Sequence, residues 1–211
     1  MSKPHFMIDI ETTGLEPESD EIMQVAIVVV WKDHHTGFWN PGGDPDQSCP
    51  SSSQFKLYQR IKHTTYPHDE FAKEHMVAMY DKCRALTNEI PPTEVREKML
   101  TFFRYAGAEH PAPLMGWNPG ILDIPFLVAH KYLFKGDNAY QGDFHHRLYD
   151  IRSACKFQAD LTGIDEKVMR EVAYAAYPEL ETPLGVGKHD ALYDCYRQIR
   201  ILNGLIRLAK R

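Results

Sequence analysis

Asp9 and Glu11 stand two residues apart in the run Phe6-Met7-Ile8-Asp9-Ile10-Glu11-Thr12-Thr13-Gly14. Phe6, Ile8 and Ile10 alternate there with Met7, Asp9 and Glu11 at the period of a pleated strand, so both carboxylates face one side. Burying two acids without a partner costs on the order of several kcal/mol each. The pattern therefore calls for a cation, and a divalent metal is the simplest one. Taken alone, an Asp-x-Glu pair is more often a surface strand facing water, and the rest of the chain shifts that balance. Asp123 follows Gly116-Trp117-Asn118-Pro119-Gly120-Ile121-Leu122 at a strand-to-helix junction; helix capping is the ordinary role for an acid there, but strand ends beside a first strand are also where ligands collect. His189 and Asp194 lie in Gly187-Lys188-His189-Asp190-Ala191-Leu192-Tyr193-Asp194. With Asp190 as the N-cap of a final helix, His189 stays just outside it and Asp194 falls in its first turns. An imidazole with an ordinary pKa of about 6.5 can take a proton from water near neutral pH.

These residues need elements to hold them. A first strand is expected over about 4–11, and a second over 22–31, whose β-branched, nearly continuous apolar run suits a strand buried on both faces and paired antiparallel with the first. Residues 36–54, rich in Gly, Pro, Ser and Asp, read as an irregular connection, and 54–62 as a third strand. Helical spacing follows over 71–86 and 93–105, then a short strand over 112–117, a helix over 124–134, a short strand over 147–149, and helices over 166–177 and 190–210. Strands gathered first and βα units later give an α/β architecture, a mixed central sheet with helices on both faces.

The chain has 211 residues, 43% of them apolar, enough for one core and a single domain over 1–211. No signal peptide is evident and no apolar run approaches the roughly 18 residues of a membrane span, so a soluble, cytoplasmic protein without a membrane partner is expected. Cys49, Cys83, Cys155 and Cys195 show no C-x-x-C spacing, which disfavours structural zinc and a disulfide framework. A net charge of −5 suits a coat for long duplex poorly. It leaves open short or single-stranded substrates held at a metal centre, where bound cations invert the local charge.

In this order and context, Asp9, Glu11, Asp123, His189 and Asp194 resemble the three motifs of the DEDDh 3′-to-5′ exonucleases, the group that includes oligoribonuclease, the proofreading subunit of bacterial replicative polymerase and phage exonuclease A. Ile8-Asp9-Ile10-Glu11-Thr12-Thr13-Gly14-Leu15 is similar to the first motif, and His189-Asp190-Ala191-Leu192-Tyr193-Asp194 fits the H-x-x-x-x-D of the third. The anchors cover 6–31, 114–134 and 189–202. Gly116-Trp117 and Asp150-Ile151-Arg152 look most like the phage enzyme. In the second motif Leu122 stands where the group carries an aromatic residue and Pro119 where it carries Asn, with Asn118 one step earlier. Residues 36–62 have no firm counterpart.

The resemblance implies an RNase H-like fold and two-metal phosphodiester hydrolysis with two Mg²⁺ or Mn²⁺ ions. Asp9 would bridge the ions, Glu11 and Asp194 would hold the first, Asp123 the second, and His189 would be the general base. Thr12, Thr13 and Leu15 would grip the terminal nucleotide, with Asn118 as a further substrate contact, although Leu15 could instead be a core residue beneath the turn. The implied partner is single-stranded nucleic acid with a free 3′ hydroxyl, DNA slightly ahead of RNA, and a homodimer is compatible with the group. An oligoribonuclease-like enzyme for short RNA, a non-catalytic binding module of the same fold and an endonuclease acting within hybrids are the alternatives. Asp150 reads as a cap for a short helix, His34-His35 and His145-His146 as exposed turns, and Arg197, Arg200, Arg207 and Arg211 as a solvated face of the last helix, with a phosphate track as the minority alternative.

Overall fold

β1 (His5–Thr12) and β2 (Ile22–Lys32) pair antiparallel from His5 opposite Val30 to Glu11 opposite Gln24, and the register shifts between Glu11 and Thr12. The two-residue period sorts β1 cleanly. Phe6, Ile8 and Ile10 enter one buried cluster and Met7 enters the other, so Asp9 and Glu11 share the Met7 side. In the computed structural model the residues described are 3–42, 55–62, 89–108, 111–136, 142–181 and 187–211; the helix expected over 71–86 lies outside them.

Among the described residues the sheet has seven strands. β3 (Trp39–Pro41), β4 (Lys56–Ile61), β5 (Glu89–Ile90), β6 (Leu114–Gly116) and β7 (Tyr149–Asp150) join β1 and β2 in the order β5-β4-β2-β1-β6-β7, with β3 also paired to β2. Neighbours β1 and β2, β2 and β3, and β2 and β4 are antiparallel, whereas β1 and β6, β6 and β7, and β4 and β5 are parallel. Helices cover both faces, as expected. α1 (Pro92–Tyr105) and α2 (Asp123–Ala129) pack on the Phe6 side, and α3 (Ile151–Thr162), α4 (Glu166–Ala176) and α5 (Ala191–Ala209) on the Met7 side.

Local chemistry sets the helix ends. Pro92 opens α1, where its missing N–H costs nothing. Asp165 accepts the backbone N–H groups of Lys167 and Val168 to start α4, and Asp190 accepts that of Tyr193 to start α5. Three sequence expectations change. Within the stretch read as irregular, Trp39–Pro41 is a strand, because the buried Asn203 amide donates to the Trp39 carbonyl at 2.7 Å and accepts its N–H at 2.7 Å. The helix expected to reach residue 134 stops at Ala129, with Lys131 turning to φ 59°. The short helix after Asp150 is a full 12 residues long.

α4 and α5 approach closely at Gly204, where a Cβ would lie 1.8 Å from the carbonyl oxygen of Ala173. Gly204→Ala is therefore expected to destabilise the protein by about 1–3 kcal/mol through overpacking, outweighing the roughly 1 kcal/mol that Ala gains over Gly in a helix. Urea unfolding monitored by circular dichroism measures the difference, and a neutral or stabilising result contradicts this packing.

Candidate active site

The C-terminal end of β1 is where the main chains of β1 and β6 part. Their parallel pairing covers Phe6 with Leu114 and Met7 with Met115, and a Cβ at Gly116 would come within 3.0 Å of the Ile8 carbonyl. Beyond that point the Ile10 N–H donates to the Asp123 carboxylate at 3.1 Å. Asp123 is buried and is the first residue of α2, but the N-cap position is Leu122, which makes no side-chain cap bond. Its carboxylate is thus turned to β1, toward Asp9 and Glu11.

α5 brings the third segment. Two sheet residues fix its N-terminus: the Gln24 side-chain carbonyl on β2 accepts the Ala191 N–H at 3.2 Å, and the Tyr58 hydroxyl on β4 donates to the fully buried Asp190. Asp194, Arg197, Gln198 and Ile201 then follow at i, i+3, i+4 and i+7, one face of the helix, and all four line the same cavity. His189, just before the cap, has φ 65°. That left-handed conformation costs a non-glycine residue on the order of 1–2 kcal/mol; its N–H donates to the Asp194 carboxylate at 3.1 Å.

The cavity enclosed by these segments has a volume of 440 Å³ and is lined by Asp9, Glu11, Asp123, His189 and Asp194 together with Ile10, Thr12, Gly14, Leu15, Trp117 and Leu122. One ligand atom from each of Glu11, His189 and Asp194 lies within 4.8 Å of the others. The electrostatics are dominated by burial and by acids set close together, with Arg197 and Lys188 acting as counter-charges to Asp194 only. Burial, and then the charges of Asp123, Asp194 and Glu11, push the Asp9 carboxyl well above the usual carboxylate range. Burial and the Asp194, Asp190 and Asp123 charges do the same to Glu11. Burial raises Asp123 to about 7 against the hydrogen bonds from its own and the Ile10 N–H groups, and raises Asp194 to about 6 against the His189 N–H. Hard divalent cations fit this donor set, which is carboxylate-rich and carries one imidazole.

The other anticipated contacts divide. Leu15 is 71% exposed at the cavity rim and is not a core residue. The Thr12 hydroxyl, at the cavity, donates to the Gly14 carbonyl at 2.6 Å. Thr13 is fully buried and serves the turn, its hydroxyl accepting the Glu21 N–H at 2.9 Å and its own N–H donating to the Glu21 carbonyl. Asn118 adopts φ 59° and its N–H donates to Asp150 at 2.9 Å; it does not line the cavity. Asp150 is the cap of α3, as anticipated.

Gln198, Arg170, Lys188 and Trp117, which sequence reasoning did not single out, complete the wall with Arg197, which it had placed on the polar face of the last helix. Gln198 is 5% exposed; its amide N–H donates to Asp9 at 2.7 Å, while its side-chain carbonyl oxygen is buried without a hydrogen-bond partner. Gln198→Leu keeps the volume but frees Asp9 to rotate, and is expected to weaken Mn²⁺ binding by about 10–100-fold, the usual effect of losing an outer-shell bond to a ligand. Isothermal titration with Mn²⁺ measures it; unchanged affinity means that Asp9 is held without Gln198.

No family model and no curated protein matches the chain. Solved structures do. The zinc-bound form of an E. coli ExoI complex with single-stranded DNA superposes with a TM-score of 0.54 at 17% identity, covering 100% of this chain and 42% of that one. A second structure of exonuclease I gives 0.52 at 18% identity, covering 93% and 39%. The chain thus spans less than half the length of these neighbours, and at such identity the likeness establishes the fold alone, a mixed α/β sheet covered by helices.

Proposed function

We propose that the chain is a metal-dependent 3′-to-5′ exonuclease, releasing nucleoside monophosphates from single-stranded nucleic acid, with DNA slightly favoured over RNA. One observation carries this: four carboxylates from β1, α2 and α5 and one imidazole line a single cavity, and no Lys or Arg forms an ion pair with those carboxylates among the described residues. Two Mg²⁺ or Mn²⁺ ions held there would supply a water of lowered pKa and offset the charge on the attacking and leaving oxygens of an in-line displacement. Asp9 would serve both ions, Glu11 and Asp194 would hold one, and Asp123 would hold the other. His189 takes the proton of the attacking water. Thr12 and the exposed Leu15 border the space for the terminal nucleotide, and residues 1–211 act as one domain. The fold shared with exonuclease I supports the choice of reaction class.

The test uses 5′-labelled oligothymidylate and oligouridylate with the purified protein in Mn²⁺, resolved by gel over time. Ladders shortening by one nucleotide from the 3′ end are the expected result. Internal cuts indicate an endonuclease, and no metal-dependent cleavage indicates a binding module; either outcome overturns the proposal.

A further inference from the structure

The acidic floor of the cavity faces a cationic and aromatic wall that the hydrolytic reading does not use. Arg170 comes from α4, Arg197 from α5 and Trp117 from the segment after β6, and all three line the cavity. The Arg170 guanidinium lies 5.8 Å from the Trp117 ring centroid, and its buried Nε pairs with the Glu171 carboxylate at 3.5 Å without hydrogen-bond geometry. Arg197 is only 17% exposed in its side chain and lies 5.9 Å over the Tyr174 ring, so it is a packed, oriented group rather than part of a solvated face. One carboxylate bridges the two guanidiniums: Glu171 approaches Arg197 at 3.2 Å and Arg170 at 3.5 Å, while itself 56% exposed.

Arginine forks bind carboxylate and phosphate oxygens through the same geometry, so Glu171 occupies the place that a phosphate could take. Arg197 follows Asp194 by three residues, which places it about one helical turn, roughly 5 Å, along α5 from the metal-ligand candidate. A strand whose scissile phosphate sits over the carboxylates can then set its next phosphate at this pair, and the half-buried Trp117 offers a ring face on which a base can stack. We propose that Arg170, Arg197 and Trp117 form a second subsite, separate from the metal ligands, that binds the next phosphate and base of a single strand by displacing Glu171. The inference rests on the exonuclease reading and deepens it: the site selects chains that carry at least two linked phosphates.

The test compares a dinucleotide, which has one phosphate, with a trinucleotide, which has two, in oligothymidylate and oligouridylate series with Mn²⁺. The wild type is expected to show a KM at least about tenfold lower for the trinucleotide, within the range of one to two charge-assisted bonds. Arg170→Met with Arg197→Met should bring the KM ratio to near one. In metal-free buffer, the salt slope of anisotropy-measured binding to a labelled 10-mer should fall by about 0.7, the value for one phosphate neutralised on a single strand. Glu171→Gln removes the competitor, leaves both arginines, and should lower the trinucleotide KM; it covers the case in which the double variant folds poorly. A KM ratio near one in the wild type, a ratio and slope unchanged in the double variant, or a trinucleotide KM unmoved by Glu171→Gln overturns the subsite. Hydrolysis with an unchanged ratio leaves the exonuclease reading intact, whereas wild-type protein that cleaves neither substrate sinks both.

Discussion

Asp9→Asn is expected to lower metal-dependent hydrolysis by about four decades, roughly 5.5 kcal/mol of transition-state stabilisation, and at the same time to raise the thermal midpoint of the metal-free protein at pH 8. The second effect follows from sign. Asp123 is raised to about 7 and Asp194 to about 6, and Asp9 and Glu11 also lie well above the ordinary range, all primarily by burial. A carboxyl whose folded pKa exceeds its unfolded value near 3.9 favours the fold below that value and loses this advantage as pH rises to the folded value. The penalty in metal-free protein therefore grows upward from about pH 4, through about 6 for Asp194 and about 7 for Asp123, and is present at pH 8 on the order of 3 kcal/mol or more for these two acids. Asn removes one of the mutually repelling charges yet can still accept the Gln198 amide N–H that Asp9 receives. The gain should shrink toward pH 4.5, where the wild-type acids hold their protons. Saturating Mn²⁺ should reverse the order, since a ligand present at 100 times its Kd stabilises the wild type by about 2.7 kcal/mol. Differential scanning calorimetry of both proteins in EDTA and in Mn²⁺ at pH 4.5 and 8 reads all of this. A variant less stable than wild type in EDTA at pH 8 would show that the protein itself neutralises Asp9, and the need for cations would disappear.

The same physics explains which parts of the fold and site could be read from the sequence. β1 and β2 were legible because one buries an alternating stripe and the other a continuous one. α1, α4 and α5 were legible through apolar spacing and their end signals. β3 was not, since it is only three residues long, pairs with β2 and is bonded at Trp39 to Asn203, 164 residues away, none of which shows as an apolar period. α3 was expected only as a short helix, for the opposite reason. Its buried stripe is Ile151, Cys155 and Ala159, narrow and of small side chains, while its bulky Phe157 and Leu161 are 65% and 66% exposed. In the site, Asp9, Glu11, Asp123, His189 and Asp194 were named from residue type and order, and the cavity brings all five together. Gln198 carries no charge and reaches Asp9 across 189 residues, so no local pattern could mark it. The arginines of α5 were misread as solvated. Arg200 lies 3.9 Å over the Tyr174 ring and Arg207 donates to the Ala176 carbonyl at 3.0 Å, so these charges bind the end of α4, a partnership that a helical wheel does not contain.

His189 is the residue whose removal separates two roles that its position allows. Its ring is near enough to Glu11 and Asp194 to share a cation with them, and its left-handed backbone is held by Asp194 rather than by helical bonding. As a general base it should lose about two to four decades of kcat on mutation to Ala, with little change in Mn²⁺ affinity because the four carboxylates remain. As a ligand it should instead raise the metal Kd, and excess metal should restore kcat. The base assignment makes a further demand on pH dependence. The His189→Ala rate should rise with hydroxide concentration, and added imidazole should recover part of the lost rate. Stopped-flow turnover of a labelled oligonucleotide across pH, paired with Mn²⁺ titration calorimetry, distinguishes the roles directly. Loss of metal binding comparable to that of Asp9→Asn, or a kcat that survives the substitution, removes His189 as the base.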